Sequence, residues 1–252
     1  MECRNELNFS RPKFEQLLQC SEQLRNQVWR EGLIHYEIER DLDKETLIKL
    51  GESINRKVYP KKPFIEWNFG ALMELEVQKD AKNYLYSYDN VPFHWDGAFH
   101  EVPGILLFYC IEGCSSGQTL FCDTTKLIES LSPEDLKRLE TTKIKYYTEK
   151  IIHYGGEFSQ NALTLHPVTN EPVLRLGEEV STRKNPVSRQ IMDEFSIDLI
   201  NEIGELLYSS DFMVEHRWRA GDLLLVDNHR FLHGRRPIKA ESKRKINRLQ
   251  LR

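Results

Sequence analysis

Apolar residues recur along the chain in two rhythms. Over residues 13–30, Phe14, Leu17, Leu18, Leu24 and Val28 fall at mainly helical spacing, which predicts an amphipathic helix. A second helix is predicted to open near Asp43, an acceptable N-cap, and to carry Leu47, Leu50 and Ile54. Ser132-Pro133-Glu134-Asp135 reads as a cap, a first-turn proline and first-turn acids opening a short helix. The longest helical pattern spans about 188–209, with Ile191, Phe195, Leu199, Ile203 and Leu206 on one face.

The second rhythm is that of strands. Residues 105–111 form a nearly continuous apolar run, as in a strand buried on both faces. Leu223-Leu224-Leu225-Val226 follows the turn signal Ala220-Gly221-Asp222, and Ile246, Leu249 and Leu251 mark a last strand. Short strands fill the middle and end, with helices at the start and one inserted late. This order predicts a mainly β fold with flanking helices, a β-sandwich or jelly roll. No repeat, low-complexity tract or linker divides the 252 residues. One domain is therefore expected over 1–252: a helical part over about 1–60, a jelly-roll core over about 64–252 and a helical insert over about 188–209.

Composition narrows the function classes. A hydrophobic content of 40%, a charged content of 29% and a net charge of −4 are ordinary for a soluble protein, with no global pull toward nucleic acid or anionic membrane. No run reaches the ~18 apolar residues of a membrane span. Met1-Glu2-Cys3-Arg4-Asn5-Glu6 lacks a signal peptide's apolar core, so a cytoplasmic protein is expected. Five cysteines, an odd count, favour reduced thiols. Cys110, Cys114 and Cys122 fall close together but form no C-x-x-C pair, which makes structural thiols the better reading than a zinc site.

The chemistry concentrates in Asn90-Val91-Pro92-Phe93-His94-Trp95-Asp96-Gly97. In a strand, residues two apart share a face, so His94 and Asp96 present an imidazole and a carboxylate side by side. One more histidine would complete the two-histidine, one-carboxylate triad of non-haem iron(II) oxygenases. On its own the pattern fits equally a histidine hydrogen-bonded to a nearby acid. The candidates for the third ligand are His100, His153, His166, His216, His229 and His233. His229 and His233 both follow the apolar strand, and spacing does not choose between them. The basic tail after His233 contains Arg244 and Arg248, whose guanidinium forks suit an anionic co-substrate, though a solvated cationic tail has the same composition.

Several motifs in order carry a resemblance. His94-Trp95-Asp96, Gly117-Gln118-Thr119, His166-Pro167-Val168-Thr169, Trp218-Arg219-Ala220-Gly221-Asp222, Asp227-Asn228 and His233-Gly234-Arg235 resemble the taurine dioxygenase-like (TauD/TfdA) superfamily of iron(II)/2-oxoglutarate oxygenases. Arg244 and Arg248 follow His233 at that family's spacing of eleven and fifteen residues. Phe69-Gly70-Ala71-Leu72-Met73-Glu74-Leu75, Val173-Leu174-Arg175 and His216-Arg217-Trp218-Arg219 are similar to the PvcB-like oxygenases of isonitrile pathways. Those family members are longer at the N-terminus and around 176–190.

The resemblance implies a double-stranded β-helix, a cupin-like jelly roll. It implies iron(II) on His94, Asp96 and His233, and 2-oxoglutarate and O2 as co-substrates. Arg244 and Thr119 are expected on the distal carboxylate of 2-oxoglutarate, and Arg248 near the carboxylate beside the iron. Asn90, Arg175, Tyr88 and Phe99 are expected at the substrate, with Trp67 as a further aromatic candidate. Expected for the reaction is desaturation, with or without decarboxylation, of a tyrosine-derived isonitrile in bacterial secondary metabolism, the substrate coming from a partner isonitrile synthase. Two alternatives stay open: a hydroxylase of an amino acid or another small carboxylate or sulfonate, and a non-catalytic metal-binding jelly-roll sensor. His166-Pro167 is expected to shape a turn, Asp227-Asn228 to support the turn before His233, and Trp218 to sit in the core.

Overall fold

The computed structural model describes residues 11–39, 41–151, 154–182, 184–240 and 242–252. The N-terminal sequence of 1–10, including Cys3, and the candidate ligand His153 lie outside the described residues. In chain order the elements are α1 (Phe14–Gln19), α2 (Ser21–Glu31), β1 (Leu33–Glu37), α3 (Lys44–Asn55), β2 (Leu72–Glu76), β3 (Val91–His94), β4 (Ile105–Glu112) and β5 (Thr119–Asp123). Then follow α4 (Thr124–Glu129), α5 (Pro133–Thr141), β6 (Lys143–Ile151), β7 (Tyr154–Asn161), β8 (Leu163–Leu165), β9 (Pro172–Leu174) and β10 (Val187–Ile191). The last are α6 (Ile197–Leu206), β11 (Met213–His216), β12 (Asp222–Asp227), β13 (Phe231–Arg235) and β14 (Lys245–Leu251).

Strand alternation explains how these elements stack. On β4, Ile105, Leu107 and Tyr109 pack against Leu17, Leu24, Leu47 and Leu50 of the N-terminal helices. Leu106, Phe108 and Cys110 point the other way, onto Phe121, Phe231, Val226 and Ile246. The strand is thus buried on both faces, as its apolar run predicts. Two antiparallel sheets face each other across that second cluster: β1-β12-β4-β14-β2 and β11-β5-β13-β3. This is the jelly-roll core. Outside the smaller sheet, Phe93, Leu120, Cys122 and Leu232 pack against α4–α6 and Tyr146 of the β10-β6-β7 sheet. Each of these fully buried side chains contributes about 1.5–3 kcal/mol.

The caps form as their residues dictate. Asp43 accepts the Thr46 N–H at 2.7 Å, and Ser132 accepts that of Asp135 at 3.1 Å. Four expectations are corrected. The first helical pattern breaks at Cys20 into α1 and α2. The pattern over 188–209 is two elements, because Val187–Ile191 pairs with β6 and the helical turns begin only after Asp193, which caps Phe195 N–H. Phe195, expected on the buried face, is 89% exposed. Cys110, Cys114 and Cys122 are free, but Cys20 is disulfide-bonded, a matter of spatial proximity that counting cysteines does not reach. No described helix is long and apolar enough to cross a membrane.

Candidate metal centre and co-substrate clamp

Phe93 and Trp95 enter the cluster outside the smaller sheet, so His94 and Asp96 emerge on its inner face. Gly97 ends the segment at φ 82°; a Cβ there would meet the Glu101 carbonyl oxygen at 2.1 Å, so the turn behind the carboxylate requires glycine. His233 lies opposite His94 in the β13–β3 register, with ring centroids 4.3 Å apart.

The three side chains converge. Nε2 of His94 lies 3.6 Å and Nε2 of His233 3.7 Å from Asp96 Oδ1. These separations are too long for hydrogen bonds and suit ligands spaced around one ion. Asp96 Oδ2 is engaged elsewhere: Arg248 Nη1 pairs with it at 2.7 Å and Gln250 Nε2 donates to it at 2.7 Å. The backbone is pinned as well, since Asp96 N–H donates to Asn228 Oδ1 at 2.9 Å and Asn228 Nδ2 donates to the Asp96 carbonyl at 3.1 Å. His94 Nδ1 sits 2.9 Å from the Pro92 carbonyl, which turns Nε2 toward Asp96.

Electrostatics set the protonation states. Burial opposes ionisation of Asp96, but Arg248 beside it and both imidazoles hold its carboxyl well below the usual carboxylate range. Burial, with His94 next to it, pulls His233 down to about 4, so its imidazole is neutral at pH 7 and available as a ligand. Both ring nitrogens of His233 are buried without a hydrogen-bond partner. Buried polar atoms are normally satisfied, so the residues present fit a metal.

Deeper between the sheets, Thr119 Oγ1 accepts from Arg244 Nη2 at 3.1 Å and from Trp218 Nε1 at 2.7 Å. Arg244 is 5% exposed, and among the described residues it makes no ion pair. Its Nε has no partner, and burial, with Arg235 nearby, pulls its pKa down to about 9. A buried guanidinium lacking an acid fits an incoming carboxylate.

A cavity of about 280 Å³ opens beside the triad. Trp67, Phe69, Met73, Tyr84, Tyr86 and Tyr154 line it together with His94, Asp96, Arg248 and Gln250. Arg235 holds part of that wall, its guanidinium donating to the carbonyls of Leu85, Ser87 and Asp89 at 2.7 Å each. Phe99 lines a smaller pocket on the other side of His94, against Phe158 at 4.8 Å.

Three residues expected at the substrate stand elsewhere. Asn90 is exposed and lines a groove with Glu178 and Tyr208, because its strand begins only at Val91. Tyr88 is not among the cavity-lining residues; its carbonyl accepts from Ile238 N–H at 2.9 Å. Arg175 lies behind Trp95, with its guanidinium carbon 5.6 Å from that ring, and donates to the Asn228 carbonyl at 3.2 Å and to His229 Nδ1. His233, and not His229, is the histidine grouped with His94 and Asp96. His166 shapes its turn, accepting the Val168 and Thr169 N–H groups on Nδ1 at 3.0 Å. Asp227 accepts the His229 and Arg230 N–H groups, and Trp218 is buried. Sequence reasoning missed Gln250, Asn228 as the clasp on Asp96, Tyr84 and Tyr154. For Gln250 a signal existed: it continues the Arg248 face of β14 by two residues.

The comparisons agree with this geometry. The family model for the taurine catabolism dioxygenase TauD, TfdA family matches residues 5–250. The chain is 40% identical over 195 residues to 3-((Z)-2-isocyanoethenyl)-1H-indole synthase of Fischerella ambigua (strain UTEX 1903), covering 73% of this chain and 71% of that one. It is 27% identical over 211 residues to the tyrosine isonitrile desaturase of Pseudomonas aeruginosa, covering 79% and 72%. The crystal structure of PvcB from Pseudomonas aeruginosa shares the fold, with a TM-score of 0.72 at 23% identity, over 91% of this chain and 78% of that one. Two histidines and a carboxylate grouped beside a cavity, a buried arginine without an acid, and a family match over nearly the whole length converge: the chain belongs to the TauD/TfdA family of iron(II)- and 2-oxoglutarate-dependent dioxygenases.

Proposed function

We propose that His94, Asp96 and His233 hold the iron and that the chain desaturates the isonitrile derivative of an aromatic amino acid. The supporting observation is the aromatic wall of Trp67, Phe69, Tyr84, Tyr86 and Tyr154 beside the two-histidine, one-carboxylate cluster. Similarity to two isonitrile-pathway enzymes points the same way.

Bound iron(II) and 2-oxoglutarate supply a two-electron oxidation driven by O2, with succinate and carbon dioxide as by-products. The chain's own groups do the placing. Arg248 and Gln250 hold Asp96 Oδ2, which leaves Oδ1 for the metal. Arg244 and Thr119 receive the distal carboxylate of 2-oxoglutarate in a pocket closed to water, where a charge-assisted pair is strong. The aromatic wall orients the ring of the substrate and excludes solvent from the carbon that loses hydrogen. Overall, substrate, 2-oxoglutarate and O2 become alkene, succinate, carbon dioxide and water.

The substrate expected from sequence is the tyrosine isonitrile, delivered by an isonitrile synthase. The 40% identity to a relative named for making an isocyanoethenyl-substituted indole favours the tryptophan isonitrile as a second reading. Purified protein with iron(II), ascorbate and 2-oxoglutarate should release succinate with one of these two substrates and give a product lighter by two hydrogens, or by formic acid if the carboxylate is also lost. Succinate release with free amino acids and with neither isonitrile would refute the substrate class while leaving the metal centre intact.

A further inference from the structure

A second group of two histidines and one carboxylate lies away from the cavity. His35 is on β1, His216 ends β11 and Asp222 begins β12. Their ligand atoms all lie within 4.8 Å of one another. His35 Nε2 is 2.9 Å from Asp222 Oδ1 and His216 Nε2 is 3.0 Å from Asp222 Oδ2. The two imidazoles face each other edge-on, with centroids 4.9 Å apart.

The cluster is anchored. Arg219 N–H donates to Asp222 Oδ2 at 2.7 Å, and His216 rests edge-on against buried Trp218 at 4.6 Å. Burial opposes the charge on Asp222, but the bonds from His216, His35 and the Arg219 backbone outweigh it and hold the carboxyl far below its ordinary range. His35 is 40% exposed at its side chain, so an ion can enter from solvent and keep water on its outer side. Ligands about 2.1 Å from a tetrahedral ion lie roughly 3.4 Å apart, so an entering ion replaces the two histidine–carboxylate hydrogen bonds and widens each pair by a few tenths of an ångström.

We propose that His35, His216 and Asp222 form a peripheral site for a zinc(II)-class divalent cation. Two imidazoles and a carboxylate suit first-row divalent ions, of which zinc is the redox-silent probe. The place in the fold gives the site a task. β1 is the edge strand of the five-stranded sheet and β11 the edge strand of the four-stranded sheet. An ion held by both clips together the open sides of the jelly roll, and it stabilises the folded chain because the unfolded chain lacks the site.

The test is zinc titration by calorimetry on four proteins: wild type, His35→Gln, His94→Ala and the double variant. His35 is at the surface, so His35→Gln folds; His216→Gln serves as an independent second variant. The site predicts that each peripheral substitution removes one zinc equivalent from its parent, in the wild-type and in the His94→Ala background alike. It also predicts that zinc raises the melting temperature of His94→Ala and that adding His35→Gln abolishes the rise. Equal zinc stoichiometry with and without His35, or an undiminished thermal shift in the double variant, overturns the assignment.

Discussion

Asp96 and Asp227 are each a buried carboxylate among histidines with an arginine nearby. Their surroundings differ in one respect. Around Asp227 every group is satisfied: His166 Nε2 lies 3.0 Å from Oδ2, and the N–H groups of His229 and Arg230 donate to Oδ1 at 2.9 and 3.1 Å. Around Asp96 the imidazoles stop at 3.6 and 3.7 Å, and both nitrogens of His233 are left without partners. The same residue types thus build a structural knot in one place and the proposed ligand site in the other. What separates them is the unfilled bonding capacity of His233.

The largest effect should come from Asp96→Ala, which removes one of three proposed protein ligands. Iron-dependent succinate formation should fall to background, and iron bound per chain should fall with it. Arg244→Ala comes next. It deletes a charge-assisted pair worth about 1.5–3 kcal/mol, so the KM for 2-oxoglutarate should rise roughly 10- to 100-fold with a smaller change in kcat. Asp227→Ala should reverse the pattern. It strands the His166 imidazole and two N–H groups, costing about 1–3 kcal/mol in a denaturant titration, while iron stoichiometry stays at the wild-type value.

The smallest effect concerns pH. Burial, with Arg175 and His166 adding, lowers His229 to about 3 from its usual 6.5. The unfolded chain therefore binds a proton that the folded chain refuses between those values, and this contribution to stability is lost as pH falls from about 6.5 toward 3. His229→Gln should flatten that part of the melting-temperature profile. An unchanged profile would mean that the knot tolerates a charged imidazole and that the contrast with Asp96 is one of shape alone.

Local pattern went far. The apolar alternation of β4, the turn before β12 and the caps at Asp43 and Ser132 are short-range features, and each forms as read. His94 and Asp96 share a face because strand geometry leaves no other choice. Over 188–209 the pattern misled, since strand β10 takes its hydrogen bonds from β6, a partner distant in sequence. Arg175, expected at the substrate from the resemblance, stands beside Trp95, and its bonds go to Asn228 and His229.

The sequence by itself determined the strand-rich core, the placing of His94 and Asp96 on one face and, through ordered motifs, the family. Spacing left His233 and His229 open and the family resemblance pointed to His233, but only the tertiary structure decided that Gln250 and Arg248 occupy one oxygen of Asp96 and that His35 meets His216 and Asp222. The physical reason is range. Periodicity and caps are written in neighbouring residues, whereas which polar atoms end up satisfied depends on strands far apart in sequence packing into one interior.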